Sequence, residues 1–175
     1  MARYRILTNR SRVWIEARSN VHPIHSEAGG LEGWLDLDIT RGPHNTSRVD
    51  VDRGPGGHLE FPVENLKSGN VFEDRELRRR IDSRRYPRIT GELTSMKATK
   101  GSSSYIVAGE LTFRDVTRSY EDAMAIDEAD DGTVTLAGQS TFDIRDFGME
   151  PPRILMLKVE PEVTVRVEIV AELES

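Results

Sequence analysis

Apolar residues recur at every second position in five runs of the chain, the sidedness of strands that bury one face. The C-terminal run is the longest: Val163, Val165, Val167, Ile169, Ala171 and Leu173 share a face, against Thr164, Arg166, Glu168, Val170 and Glu172. Over residues 12–18, Val13, Ile15 and Ala17 oppose Trp14, Glu16 and Arg18. Leu31, Gly33, Leu35, Leu37 and Ile39 alternate with Glu32, Trp34, Asp36 and Asp38. Tyr105, Val107, Gly109, Leu111 and Phe113 form a fourth set, and Val134, Leu136, Gly138, Ser140, Phe142 and Ile144 a fifth. Weaker strands are expected near 3–8, 48–52, 58–64, 88–96 and 118–127. Turn-forming clusters separate the runs, among them Gly29-Gly30, Arg41 to Asn45, Gly54 to Gly57, Gly101-Ser102-Ser103-Ser104 and Asp130 to Gly132, as in an antiparallel sandwich or barrel.

One segment breaks the period. Asn70 followed three positions on by Glu73 has the form of a helix N-cap, and good helix formers continue to about Asp82. Leu77 and Ile81, four apart, fall on one face, and Pro87 forces Tyr86 out of helical geometry. The spacing thus predicts a helix over about 70–82 inserted among strands. With a single helix to cover it, a one-sided sheet is buried most economically by curling against itself, which also removes its exposed edges. At about eight strands the interior is either filled by side chains or holds one small apolar molecule. The inward glycines Gly33, Gly109 and Gly138 mark bends or leave space inside.

Composition narrows the function. At 175 residues and 37% hydrophobic the chain suits one compact unit with a real core. Its 24 basic and 30 acidic side chains give a net charge of −6, contrary to a protein that neutralises nucleic-acid phosphates. The absence of cysteine excludes disulfides, thiolate metal sites and a cysteine nucleophile. Residues 1–12 alternate charge with apolar groups rather than forming the apolar core of a signal peptide, and no later run reaches the ~20 apolar residues of a membrane span. A cytoplasmic protein is expected.

Three segments in order resemble one family. Asp74-Arg75-Glu76-Leu77, Ile81-Asp82 and Tyr86-Pro87-Arg88-Ile89 are similar to the helix and following strand of the YceI-like family of lipid-binding proteins. Gly109-Glu110-Leu111-Thr112-Phe113-Arg114-Asp115-Val116-Thr117-Arg118 resembles its G-x-L-T-x-R-G-V-T-[RK] hairpin, and Arg145-Asp146-Phe147-Gly148 its R-x-D-F-G element. The resemblance covers nearly the whole chain. It implies an all-β fold over residues 1–175: an extended antiparallel lipocalin-like barrel of about eight strands with one inserted α-helix, whose elongated cavity in some members holds a polyisoprenoid. The chain departs from the pattern at Asp115, where the family has glycine, at Gly91, where many members have an aromatic, and at Arg10, where a histidine commonly precedes serine. Many relatives also carry an export signal.

The candidates for ligand contact are the inward residues Val13, Ile15, Leu35, Leu37, Leu111, Phe113, Phe142, Ile144 and Val165. Phe72, Phe147 and Met156 join them as adaptable groups near a mouth, beside Met149 and Leu155. An ordinary packed core is the alternative for each inward residue, and packing of the helix and long loop onto the barrel is the alternative for the mouth group. Trp14 and Trp34 face outward or toward the rim, as interface anchors or as cover for a neighbouring strand. The seven arginines from Arg75 to Arg88 either steer an anionic head group or, interleaved with Glu73, Asp74, Glu76 and Asp82, form a solvated face. Pro23 keeps His22 and His25 from sharing a helix face, and no metal or cofactor motif accompanies them or His44 and His58. No G-x-S-x-G, H-E-x-x-H, P-loop or G-x-G-x-x-G occurs. The expectation is a non-enzymatic carrier of an isoprenoid or other long-chain lipid, without cofactor and without nucleic acid. A membrane surface and a second copy of the chain stay open as partners, and a filled barrel serving as a protein-interaction module is the other reading.

Overall fold

Each alternating run becomes a strand of an antiparallel barrel in the computed structural model, which describes residues 1–101, 103–154 (the last as backbone) and 156–175. Leu155 and Ser102, named above for the mouth and a turn, lie outside the described residues. The elements are β1 (Ala2–Ile6), β2 (Arg12–Ser19), β3 (Ile24–Ala28), β4 (Glu32–Leu37), β5 (Ile39–Arg41), β6 (Ser47–Val49), β7 (Gly56–Pro62), α1 (Val71–Ile81), β8 (Arg88–Ala98), β9 (Ser104–Phe113), β10 (Val116–Glu128), β11 (Val134–Asp143), β12 (Arg153–Ile154) and β13 (Leu157–Leu173). Eight of them close a ring in the order β1-β4-β7-β8-β9-β10-β11-β13, sealed by β13 against β1 from Tyr4↔Leu173 to Ile6↔Ala171.

The ring differs from the expected strands in three places. The run from 31 to 39 breaks at Asp38, so that Ile39 starts β5, which pairs only with β6 as a small flap. β12 is a two-residue strand folded back on β13. β3 was hidden because its sequence Ile-His-Ser-Glu-Ala carries little apolar weight and follows Pro23. Paired with β2 from Ala17↔Ile24 to Val13↔Ala28, β3 continues the line of β4, just as β2 continues the line of β1. Both lines break at one level, by a 3-10 turn at Thr8–Arg10 and by Gly29 to Leu31. Buried Ser11 ties the first break to β13, accepting from the Val170 N–H at 3.0 Å and donating to the Val170 carbonyl at 3.3 Å.

The helix forms where the cap pattern placed it. The Asn70 side chain accepts from the N–H groups of Phe72 and Glu73 at 3.0 and 3.2 Å, satisfying two donors of the first turn. Asp82 ends the helix in the left-handed region at φ 59°. Leu77 and Ile81 face the barrel, Ile81 being fully buried. On the outer face Glu76 accepts from Arg79 and Arg80 at 2.9 Å each, so part of the arginine run is a solvated network. Those hydrogen bonds, the Arg79 one foremost, hold the Glu76 carboxyl below its usual range.

The interior is not uniform. At the flap end Leu31, Leu35, Leu37, Tyr105, Val134 and Ala171 pack into a solid core, and the Tyr105 hydroxyl accepts from the Val49 N–H at 2.9 Å. Glu128 pins the flap, accepting from Ser47 Oγ at 2.6 Å and Arg41 Nη2 at 2.8 Å. At the other end the wall opens. β10 and β11 pair only from Met124↔Gly138 to Glu128↔Val134 and then part. β3 meets the far wall through a single bridge, Glu27↔Lys67. Two sheets, β8-β9-β10 and β11-β13-β2-β3, therefore face each other with α1 over one gap and the turn at Ile144–Phe147 over the other.

Candidate functional site

Between these two sheets lies a cavity of about 250 Å³. Val13, Ile15 and Ala17 of β2 form one side of it and Val163, Val165 and Val167 of β13 continue that side. Ile89 and Gly91 of β8 and Leu111 and Phe113 of β9 face them. Leu77 and Ile81 of α1 cover the gap beside β3, while Phe142, Ile144 and Phe147 cover the gap beside β10. Such a space far exceeds the ~10–15 Å³ that one water needs, and most of its lining is aliphatic or aromatic.

Gly91 explains part of the room. A methyl group built on it would meet no atom within 4 Å, so the space an aromatic would fill there is open. The inward glycines noted from the alternation behave otherwise. At Gly33, with φ +144°, a Cβ would lie 1.9 Å from the His58 carbonyl, and at Gly109 one would lie 2.6 Å from that of Glu92. Both are places where strands bend and close on each other. Gly138, also in the cavity lining, makes room for Met124, whose Cγ a Cβ there would meet at 2.6 Å.

Polar groups enter the lining in two places. Ser26, Ser68, Glu73 and Asp74 stand together where β3 meets the helix start. There Asp74 Oδ1 accepts from the Ser68 N–H at 2.8 Å and its hydroxyl at 2.7 Å, so that carboxylate is satisfied locally. Gln139 and Ser140 stand at the parting of β10 and β11, where Ser140 donates to Asp122. Tyr120 closes this second seam, its ring edge-on to Phe142 at 4.4 Å and its buried hydroxyl without a hydrogen-bond partner among the described residues. Burial raises the Tyr120 pKa, and the neighbouring Asp146 adds to the shift.

Eight of the twelve residues picked from the sequence line this space: Val13, Ile15, Leu111, Phe113, Phe142, Ile144, Phe147 and Val165. Leu35 and Leu37 point inward as expected but belong to the solid half, 4% and 0% exposed, because Tyr105 and its neighbours fill the barrel at their level. Phe72 and Met156 do not reach the cavity either. Phe72 is 71% exposed on the outer side of the first helical turn and Met156 is 85% exposed in the turn before β13. Met149, by contrast, is buried and lines the cavity. The alternation could not reveal Ile24 and Ser26 of the unrecognised β3, nor Pro152 and Val159 flanking the β12–β13 turn. Leu59, Met124 and Gly91 were within reach of it, because all three fall on inward registers.

Trp14 and Trp34 lie on the outer wall as cover, with the Arg166 guanidinium 4.3 Å above the first ring and that of Arg3 4.0 Å above the second. His58 stacks on Trp34 and hydrogen-bonds Glu92; burial pulls its pKa down, but Glu92 and Glu60 outweigh this and hold it above the usual value. Among the described residues no three His, Asp or Glu side chains are placed to hold a metal, and no helix is long and apolar enough to cross a membrane.

The family model for the YceI-like domain matches residues 4–171, from the first strand to nearly the end of the last. The chain belongs to the YceI-like family. No curated protein sequence matches it significantly. Among solved structures the fold is shared with BcnA of Burkholderia cenocepacia, at 15% identity and TM-score 0.75 over 95% of this chain and 99% of that one. It is shared equally with a polyisoprenoid-binding domain from Saccharophagus degradans, at 11% identity and TM-score 0.75 over 99% and 100% of the two chains. A YceI protein of Campylobacter jejuni matches at 14% identity and TM-score 0.57 over 81% of each chain.

The departures from the family pattern now have a structural form. Arg114 and Asp115 are the two central residues of the β9–β10 hairpin turn and both adopt the left-handed region, at φ 53° and 59°. A turn of this kind favours glycine. Arg114 is held there by its own side chain, which donates to the Ile81 carbonyl at 3.2 Å, the Phe147 carbonyl at 3.3 Å and the Gly148 carbonyl. One guanidinium thus ties the helix end, the Ile144–Phe147 turn and the hairpin together at the cavity rim.

Proposed function

We propose that this YceI-like barrel, acting as one unit over residues 1–175, binds and carries or sequesters a polyisoprenoid or similar long-chain amphiphile without catalysing a reaction on it. The observation that carries the reading is the open, apolar half of the barrel, with Gly91 facing empty space. Val13, Ile15, Leu111, Phe113, Phe142, Ile144, Phe147 and Val165 are its proposed contacts. Burying a methylene contributes about 0.8 kcal/mol, so ten contribute about 8 kcal/mol, enough to offset much of the ordering cost of association. Long chains bind and short ones do not. The polar end rests by Ser26, Ser68 and Glu73, where the lining stops being hydrocarbon. Family membership and the solved polyisoprenoid-binding domain of the same fold support this choice of ligand class.

The alternative of a filled barrel presenting its outer surface to a protein fits only the flap half. Organic extraction of purified protein followed by mass spectrometry tests the proposal, with a long-chain lipid expected. Leu111→Arg or Phe142→Arg abolishes uptake of a fluorescent prenyl probe, while Trp34→Ala on the outer wall leaves it intact. Repeated recovery of no lipid, together with no probe binding, removes the proposal. A cytoplasmic site of action belongs to the same proposal and is checked by cell fractionation; self-association is checked by sedimentation.

A further inference from the structure

Six large apolar side chains among the described residues stand mostly in solvent. Two, Met1 and Leu173, belong to the chain ends beside the solid half. The other four, Val21, Val71, Phe72 and Met156, are 67%, 65%, 71% and 85% exposed, and they come from three separate elements at the hollow end. Val21 is in the β2–β3 turn. Its neighbour Asn20 binds the turn that carries Met156, donating to the Met156 carbonyl at 3.0 Å and accepting from the Lys158 N–H at 2.7 Å. Val71 and Phe72 open α1, directly before the cavity-lining Glu73 and Asp74. Ile24 and Ser26, just after Val21, and Pro152 and Val159, on either side of Met156, line the same cavity. The four tips therefore border one mouth. Clustered, exposed apolar groups of this kind mark an interaction surface rather than ordinary surface.

Charge identifies the partner. The chain is acidic overall, yet residues 67–88 hold eight basic and four acidic side chains. Around the mouth, Lys67, Arg75, Arg153 and Lys158 are exposed and, like the neighbouring Glu27, Glu73 and Glu160, make no ion pair among the described residues. Apolar tips beside a segment with twice as many basic as acidic side chains, and with four unpaired cations against three unpaired carboxylates, complement a surface that is anionic outside and hydrocarbon a few ångströms below.

We infer that the hollow end is a docking surface for an anionic lipid bilayer, with Val21, Val71, Phe72 and Met156 entering the interface and the cavity mouth set against it. The inference rests on the lipid-binding reading for its purpose and on separate residues for its chemistry. Docked in this way, a chain leaves the bilayer and enters the cavity without crossing water.

Flotation of the full chain with vesicles tests the inference, comparing pure phosphatidylcholine with the same lipid carrying about one third phosphatidylglycerol. Binding is expected only to the anionic vesicles and is expected to weaken with salt. Phe72→Ser with Met156→Ser should lower vesicle affinity about tenfold or more, and Arg75→Gln with Lys158→Gln about fivefold per cation removed. These variants keep the wild-type melting temperature and still take up a detergent-dispersed prenyl probe. The probe measurement thus reports on the cavity alone, and the two readings fail separately. Absence of flotation with anionic vesicles overturns the inference, as does flotation that the Phe72/Met156 variant leaves unchanged. Phe72-dependent self-association without flotation assigns the surface to a second copy of the chain and overturns it equally.

Discussion

Replacing Gly91 with phenylalanine should make the protein more stable and a poorer lipid binder at once. A Cβ at this position meets nothing within 4 Å, and the side chain would point between Leu59 and Leu111 into the cavity. The new ring would be buried against aliphatic walls, which contributes about 1.5–3 kcal/mol, and removing glycine from a strand interior adds about 0.5–1 kcal/mol. Part of the first figure is lost to imperfect fit, leaving a net gain of about 2 kcal/mol. For a chain of this length that raises the melting temperature by about 4–8 °C. The same ring displaces about four methylenes of a threaded chain, or about 3 kcal/mol, and so weakens binding on the order of 100-fold. Thermal unfolding of delipidated protein and titration with a prenyl probe read the two effects separately. A lower melting temperature with unchanged affinity would mean that Gly91 faces packed protein, and the account of the cavity would be refuted.

Other consequences follow from the contrast between the halves. Leu35→Ala, in the solid half, should cost about 2–5 kcal/mol in denaturant unfolding and leave prenyl affinity of the folded protein within twofold; a large loss of affinity would mean that the core communicates with the cavity. Asp115→Gly should stabilise by about 0.5–1 kcal/mol, because φ 59° suits glycine better than aspartate, and Arg114→Ala should not mimic it, since three carbonyls would lose their donor. Glu128 is held below the usual carboxylate range by Ser47 first and Arg41 second. Its contribution to the flap is therefore complete above the ordinary glutamate pKa and disappears as pH falls through its depressed value. Amide protection factors in residues 39–49, taken against the intrinsic rate at each pH, should fall on acidification in the wild type and be low at all pH values in Glu128→Gln.

The alternation made the wall legible. Val13, Ile15, Leu111, Phe113, Phe142 and Val165 all point inward where period two put them, and the Asn70 cap marked the helix to within a residue. Facing inward, however, says nothing about what lies opposite. Leu35 and Leu111 carry the same signal, yet Leu35 meets packed side chains at the level of Tyr105 while Leu111 meets empty space. The difference depends on residues far apart in sequence, above all a glycine at 91 and the parting of β10 from β11 at Met124. β3 escaped notice because its outward His25 and Glu27 and its inward Ser26 leave too few apolar positions to reveal a period. Phe72 and Met156 fall in the helix start and the loop after Pro151-Pro152, which places them near a mouth without telling inside from outside.

The paired interruptions at Thr8–Arg10 and Gly29 to Leu31 sit at the boundary between the solid and hollow halves. A continuous hydrogen-bonded stave would transmit any widening of the mouth along its full length; a stave cut at mid-height does not. The broken pair leaves β2 and β3 joined to β13 apart from β1 and β4, so the lower part of this wall holds its own register while β8 to β11 and β13 run unbroken through both halves.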